Sequence, residues 1–165
     1  MSKKNLDTLV DDIYKKLSVL GEGKPLAVSD KDIDELGESI KVALKSWAHP
    51  EPRNSTPTLR MSNIGRPERQ LWYDLKLEDG DTPIAPHTFI KFLYGHLLEE
   101  VVLFLVRLAG HEVGDEQKSV SVSGVKGHMD CTINGEVVDV KTASGFAFKK
   151  FKDGTLGEQD TFGYM

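Results

Sequence analysis

Apolar residues recur three or four positions apart in three stretches of this chain, which is the spacing of one side of an α-helix. The first stretch covers residues 5–18, the second runs from Ser29 to Trp47, and the third covers about 87–109. Ser29 and Asp32 stand at the spacing of an approximate capping box, so the second helix is predicted to start at Ser29. Gly110 is predicted to end the third helix.

The second and third predicted helices differ in the width of their apolar faces. The apolar stripe of the second helix comprises Ile33, Leu36, Ile40, Leu44 and Trp47. The wide apolar face expected for the third comprises Phe89, Ile90, Leu93, Leu97, Val101, Phe104, Leu105 and Leu108. A further short helix beginning at Ser62 or Asn63 is predicted to carry Arg66 and Arg69, and residues 78–83 are predicted to form a surface turn.

Beyond Gly110 the pattern changes to that of strands joined by tight turns. Residues 113–122 are predicted to form one strand, and Ser123-Gly124 turns the chain into a second that carries Asp130. Asn134-Gly135 is the dipeptide most favoured in two-residue type I′ hairpins, so a third strand follows. We therefore expect an α/β (mixed α+β) chain with a helical appendage at 1–52 and a core at 53–165. In that core a long helix precedes a three-stranded antiparallel sheet.

The Asn134-Gly135 turn predicts which residues of the hairpin face each other. A two-residue loop pairs Ile133 with Glu136, Thr132 with Val137 and Cys131 with Val138. Continued outwards, the same register places Asp130 opposite Asp139 and His128 opposite Lys141. The predicted packed face comprises Met129, Cys131, Ile133, Val138 and Val140.

Two aspartates placed opposite each other repel unless a cation lies between them. Carboxylate oxygens suit Mg²⁺, which typically takes one or two protein carboxylates and keeps several waters. The pair Asp130 and Asp139 is therefore a candidate metal site. An exposed hairpin with a tolerated repulsion, or a salt bridge to Lys141 alone, explains the same residues.

Composition narrows the classes of function only slightly. The formal net charge is −5, yet residues 141–152 contain four lysines and no acidic residue. Local basic segments of this kind allow an acidic protein to bind DNA.

Cys131 is the one cysteine, which excludes an internal disulfide and a cysteine-rich metal cluster. No run of about 18 apolar residues and no apolar N-terminal signal occurs, so we expect a cytoplasmic protein with no membrane partner.

The stretches Gly127-His128-Met129-Asp130 and Val138-Asp139-Val140-Lys141-Thr142-Ala143-Ser144 resemble the motif of the PD-(D/E)XK nuclease superfamily, in particular its RecB-like and phage-exonuclease branch. The resemblance implies that Asp130, Asp139 and Lys141 form the catalytic core. The segment with Ser62, Gly65, Arg69, Trp72 and Tyr73 is similar to a family segment in which a cysteine ligates an iron–sulfur cluster. Pro67 stands in the place of that cysteine, so no such cluster is expected.

The same family carries a glycine followed four residues later by an acidic residue or histidine on its first core helix. Gly95 and Glu99 match this spacing, which makes Glu99 the third acidic residue by resemblance. His96, three residues before Glu99, is interpreted as a polar residue of the helix surface. Gln117 fits loosely a glutamine that the family often has on the following strand.

The resemblance implies hydrolysis of phosphodiester bonds in DNA, most simply by an exonuclease of phage or bacterial DNA processing and recombination. Mg²⁺ or Mn²⁺ would be held by Glu99, Asp130, Asp139 and the Val140 carbonyl, with Lys141 beside it. Candidate DNA contacts are Arg66, Arg69, Ser144, Lys149 and Lys150. Aromatic residues alternating with lysines over 146–152 suit a single strand, whose bases can stack. The residues by themselves favour the simpler alternative, in which Phe148 and Phe151 pack in the protein and the lysines are exposed.

Three other functions remain open at this stage. The chain could be a non-catalytic subunit that binds DNA or a partner, a restriction-type endonuclease with the same core, or a protein whose aspartate pair is a structural metal clip. The family's Gln-x-x-x-Tyr helix and its last strand do not occur by Met165. We therefore expect either a truncated product or a second chain that supplies these elements, with DNA, as a single strand or a duplex end, as the other partner.

Overall fold

The computed structural model describes residues 4–50, 58–76 and 84–155, and within them the chain is a mixture of helices and short strands, as predicted. The helices are α1 (Leu9–Gly21), α2 (Asp30–Ala48), α3 (Glu68–Lys76), α4 (Pro86–Leu108) and α5 (Gly145–Lys152), and the strands are β1 (Val113–Gly114), β2 (Lys118–Val122), β3 (Val125–Met129), β4 (Cys131–Ile133) and β5 (Glu136–Val138). A single 3₁₀ turn, Leu6–Thr8, precedes α1. The turn predicted at 78–83 and the C-terminal residues 160–165 lie outside the described residues. Across the described ranges, no helix combines the length and apolar character needed to cross a membrane.

The chain forms two compact units. The first contains α1, α2, α4, β1, β4 and β5, and the second contains α3, α5 and the segment Ser119–His128. The N-terminal helices therefore belong to the same unit as α4. The division into a helical appendage at 1–52 and a core at 53–165 stays a prediction.

The ends of α2 and α4 form as their residues predict. The Ser29 hydroxyl accepts a hydrogen bond from the Asp32 backbone N–H at 3.1 Å, and the Asp32 carboxylate accepts one from Ser29 N–H at 3.1 Å. This completes the capping box. Helix α4 stops before Gly110, whose φ of +82° is the left-handed conformation that glycine adopts without strain. Trp47 ties α2 to α4, since its indole N–H donates to the Phe89 carbonyl at 2.9 Å.

The core of the first unit is built on a different side of α4 from the one expected. Leu103 and Val106 of α4 are buried against Cys131 and Ile133 of β4. Partly buried side chains surround them: Leu6, Leu9, Ile13, Val113, Val138 and Val140. Phe89, Ile90 and Val101, which the sequence placed on the packed face, are exposed. Apolar residues surround most of the circumference of α4, so spacing alone does not select which side packs.

The β4–β5 hairpin has the predicted register but is shorter than predicted. Cys131 pairs with Val138 and Ile133 with Glu136 around an Asn134-Gly135 turn with φ values of +53° and +86°. The ladder ends there, so Asp130 and Asp139 are not a paired position of the sheet. The expected pairing of His128 with Lys141 is also wrong, because β3 pairs with β2 and Lys141 lies outside any strand.

The single strand predicted over residues 113–122 is broken into β1 and β2. Asp115 and Gln117 between them have φ values of +49° and +51°, and a left-handed backbone cannot continue an extended strand. The second predicted strand is also divided: β3 ends at Met129 and β4 begins at Cys131, with Asp130 between them. The expected three-stranded sheet is therefore the small antiparallel sheet β1-β4-β5, accompanied by a separate β2-β3 pair that turns at Ser123-Gly124 as predicted.

In the second unit α3 begins at Glu68 and not near Ser62. Pro67 explains the difference, because a residue that precedes proline is disfavoured in the helical conformation. Arg66 therefore lies before the helix and Arg69 lies within it. The segment ahead of α3 pairs with β3 through a hydrogen bond from Met61 N–H to the Lys126 carbonyl at 3.0 Å. Gly127 permits this approach, since a Cβ there would lie 2.8 Å from the Met61 side chain.

Candidate functional site

Glu99 of α4 is in hydrogen-bond contact with the loop between β1 and β2. The Gln117 side-chain amide donates to Glu99 Oε1 at 2.7 Å. Glu99 is half-buried on α4, whereas His96, one turn earlier, is exposed as expected. Gln117 thus connects the Glu99 carboxylate of α4 to the loop between β1 and β2.

Gln117 also contacts Asp130, through its backbone. Its N–H donates to the Asp130 carbonyl at 2.8 Å, at the place where β3 gives way to β4. The left-handed φ of +51° at Gln117 costs a residue with a side chain roughly 1–3 kcal/mol, and strain of this kind is concentrated at functional sites. One strained residue therefore joins two of the three candidate acids.

The Asp130 carboxylate closes the open end of the β4–β5 hairpin. Its Oδ2 accepts a hydrogen bond from Val140 N–H at 2.7 Å. Asp139, between Val138 and Val140, is exposed. The structure thus brings Glu99, Gln117, Asp130 and Val140 together through consecutive hydrogen bonds, with Asp139 next to Val140 in the chain.

The side-chain donors at this site are carboxylate oxygens, as the metal expected from the sequence requires. Hard carboxylate and carbonyl oxygens are what Mg²⁺ and Mn²⁺ prefer, and one or two carboxylates with water suffice for Mg²⁺. Three acidic, histidine or cysteine side chains do not converge into a ready metal cluster anywhere in residues 4–50, 58–76 and 84–155. The donors match a hydrated Mg²⁺ or Mn²⁺ in chemical type, but Glu99, Asp130 and Asp139 are not gathered into one three-acid cluster in the described part of the chain.

The electrostatic environment at the core is negative. Burial first, and then the charges of Asp130, Glu116 and Glu99, raise the pKa of the Cys131 thiol to about 11, against an opposing effect of Arg107. The same carboxylates that disfavour a thiolate favour a cation.

The candidate DNA-binding residues lie in the second unit. Ser144 is the N-cap of α5, and its hydroxyl accepts a hydrogen bond from Ala147 N–H at 3.2 Å. Lys150 lies over the Phe146 ring at 4.6 Å from its centroid, and the Arg69 guanidinium lies 5.9 Å from that of Tyr73. Lys141 and Lys149 are exposed, and Arg66 is half-buried. Ser144 therefore caps α5, a structural role that the sequence analysis did not predict.

The structure contains a buried hydrogen-bond network around His111 that the sequence did not predict. The His111 side chain is fully buried, with its Nε2 3.1 Å from Asp12 Oδ2 and its Nδ1 2.8 Å from Asn134 Nδ2. Asn134 Oδ1 accepts from Glu112 N–H at 3.1 Å, so its amide nitrogen faces the ring. This arrangement makes Nδ1 the acceptor from the Asn134 amide and Nε2 the donor to the Asp12 carboxylate. The network fastens α1 and the hairpin turn to the residues after α4.

Asp12 is the charged end of that network. Its partial burial opposes ionisation, but a hydrogen bond from Thr8, the charge of Lys4 and hydrogen bonds from His111 and Lys4 outweigh this and hold the pKa of Asp12 below its ordinary value. The sequence offered no signal for the network, because Asp12 and His111 are far apart in the chain and only folding brings them together.

Comparisons with protein-family models, with curated proteins and with solved structures found no match for this chain.

Proposed function

We propose that this protein is a metal-dependent DNA nuclease of the PD-(D/E)XK type, acting most simply as an exonuclease. The observation that supports this most directly is the bonding of Gln117 to both Glu99 and Asp130. One is an acid of helix α4 and the other lies at the junction of β3 and β4, and the motif resemblance selected both independently of any contact. Their connection through a strained backbone residue is the kind of positioning that a catalytic site needs.

The proposal gives each acid of the first unit a defined task. Glu99, Asp130 and Asp139, with the Val140 carbonyl, would hold Mg²⁺ or Mn²⁺. When bound, such an ion polarises a phosphate oxygen and lowers the pKa of a coordinated water. The hydrogen bonds from Gln117 and Val140 would hold the carboxylates of Glu99 and Asp130 in fixed orientations, as outer-shell partners of metal ligands do.

Cationic residues complete the proposed chemistry. Lys141 follows Val140 directly in the chain, and its ammonium would stabilise charge that develops on the phosphate during cleavage. Arg66, Arg69, Lys149 and Lys150 of the second unit would contact phosphates, since guanidinium and ammonium groups both bind phosphate strongly.

The test is hydrolysis of end-labelled linear DNA by the purified chain with Mg²⁺, with Mn²⁺ and with EDTA. Asp139→Asn and Glu99→Gln should each lower the rate at least about 100-fold, because each removes a negative ligand from the ion. Glu136→Gln is the matched control, since Glu136 is an exposed acid on β5 of the same hairpin. Equal cleavage by all four proteins would assign the activity to a contaminant and overturn the proposal.

A circular substrate separates the two kinds of nuclease. An exonuclease requires an end and leaves a covalently closed circle intact, whereas a restriction-type endonuclease opens it. Metal-dependent digestion of the linear form alone is the expected result.

A further inference from the structure

The aromatic side chains of α5 are exposed, although phenylalanine is normally buried. The exposed fractions are 72% for Phe146, 60% for Phe148 and 62% for Phe151. The helix has no buried residue within its eight positions, and its start is held by the Ser144 cap. These rings are therefore available at the surface of an ordered helix.

Each of two rings has a lysine three or four positions later, which places ring and ammonium on the same side of the helix. Phe146 is followed at this spacing by Lys149 and Lys150, and Phe148 is followed by Lys152. For one pair the contact is formed, since the Lys150 ammonium lies 4.6 Å from the centroid of the Phe146 ring. The surface of α5 thus alternates flat apolar rings with positive charge.

The charge of this surface indicates an anionic partner. No acidic residue occurs from Lys141 to Lys152, in a chain whose net charge is −5. A partner that offers both regular negative charge and exposed flat apolar groups is a single-stranded nucleic acid, with its phosphates and unstacked bases. Duplex DNA offers the phosphates but keeps its bases stacked inside, where these rings cannot reach them.

We propose that α5 is a single-strand binding surface, on which bases stack against Phe146, Phe148 and Phe151 while the three lysines contact phosphates. The inference rests on the proposed function in taking DNA as the ligand, and it deepens that function by specifying a single strand over a duplex. Base stacking on aromatic rings tolerates any base, so the surface selects strandedness and not sequence.

The test is fluorescence anisotropy with a labelled oligothymidine and with a labelled duplex of the same length, both in EDTA to prevent cleavage. The ring variant, Phe146→Leu with Phe148→Leu and Phe151→Leu, keeps apolar side chains and helix propensity. It should weaken single-strand binding at least about tenfold and leave the weaker duplex binding unchanged. The charge variant, Lys149→Gln with Lys150→Gln and Lys152→Gln, should weaken both and flatten the dependence of affinity on salt.

A matched control replaces three exposed lysines of α2 that lie in the other unit: Lys31→Gln, Lys41→Gln and Lys45→Gln. It has the same change in net charge as the charge variant of α5. Its affinity for both probes should lie closer to that of the wild type than the affinity of the charge variant does. Circular dichroism confirms that every variant retains its helix content. Loss of binding in the control equal to that in the charge variant would mean that net charge alone attracts DNA, and would overturn the proposal.

Three further results would also overturn it. One is duplex affinity equal to single-strand affinity, and another is a ring variant that weakens binding of both probes equally. The third is binding of the wild type to vesicles of phosphatidylcholine and phosphatidylserine, lost in the ring variant, with no binding of oligothymidine. The binding assay contains EDTA and changes no acidic site residue, so it is independent of cleavage. Preferential binding of the single strand, together with no cleavage in the nuclease assay, would reject the proposed function alone. Cleavage that is indifferent to the rings would reject this inference alone.

Discussion

The side-chain amide of Gln117 donates a hydrogen bond to the Glu99 carboxylate at 2.7 Å. This contact joins the middle of the longest helix to a strained loop residue whose own N–H bonds to Asp130. A carboxylate on a helix surface normally samples several rotamers, and a fixed donor restricts it to one. The relationship therefore connects an acid of α4 to Asp130, at the junction of β3 and β4, through a single residue.

The proposed nuclease function predicts that replacing Gln117 by leucine impairs cleavage without unfolding the protein. The variant keeps the backbone bond to Asp130 but leaves Glu99 without its amide donor, and loss of such an outer-shell partner typically costs 10–100-fold in metal affinity or activity. We expect about a tenfold lower cleavage rate and a higher Mg²⁺ concentration for half-maximal activity. Gln70→Leu, at an exposed glutamine of α3, is the control. Identical Mg²⁺ dependence in both variants would contradict the assigned role.

Asn134→Ala should destabilise the first unit strongly. Alanine is strained at the φ of +53°, and it removes both the amide that bonds His111 and the oxygen that bonds Glu112 N–H. Together these losses predict a decrease of about 2–4 kcal/mol in the free energy of unfolding. Asn134→Gly removes the same hydrogen bonds without the backbone strain, so it should lose less. Urea unfolding followed by circular dichroism measures both, and equal stability of alanine and glycine variants would argue against strain at the turn.

The Cys131 thiol should be inert in the folded protein. Its pKa of about 11 follows first from burial and then from neighbouring carboxylates, so at pH 8 it is protonated and inaccessible. Alkylation by iodoacetamide should be complete in urea and negligible in buffer over the same time. Because the folded pKa is raised, the neutral thiol stabilises the fold at lower pH. That contribution is lost as the pH rises from the unfolded value of about 8.5 towards 11. Cys131→Ala should remove this part of the alkaline loss, and rapid alkylation of the native protein would show that the thiol is accessible.

Asp12→Asn should lower stability in a way that depends on pH. The pKa of Asp12 is depressed in the folded protein, so its ionised form stabilises the fold at every pH above the unfolded pKa of about 3.9. This contribution is lost as the pH falls through the lower folded value. The difference in unfolding free energy between the wild type and the variant should therefore be constant near neutrality and shrink below about pH 4. Asp11→Asn, at the exposed neighbour on α1, is the control, and a difference that persists unchanged at pH 2–3 would contradict the assignment.

Local signals identified many element ends correctly. The Ser29 and Asp32 capping box, the stop at Gly110 and the register of the Asn134-Gly135 hairpin each depend on residues a few positions apart. Short-range hydrogen bonds and backbone preferences operate the same way wherever the segment lies. The acids of the candidate site were chosen by motif spacing, and Glu99 and Asp130 are linked through Gln117 in the fold.

The sequence by itself determined the mixed α/β composition, the principal turns and the identity of the candidate acids. Only the tertiary structure decided that Leu103 and Val106 face the core, that His111 is buried between Asp12 and Asn134, and that the predicted strands break at 115–117 and at Asp130. The physical reason is range. A cap or turn is stabilised by its neighbours in the chain, whereas a helix apolar on most sides acquires an inside only when distant strands pack on it.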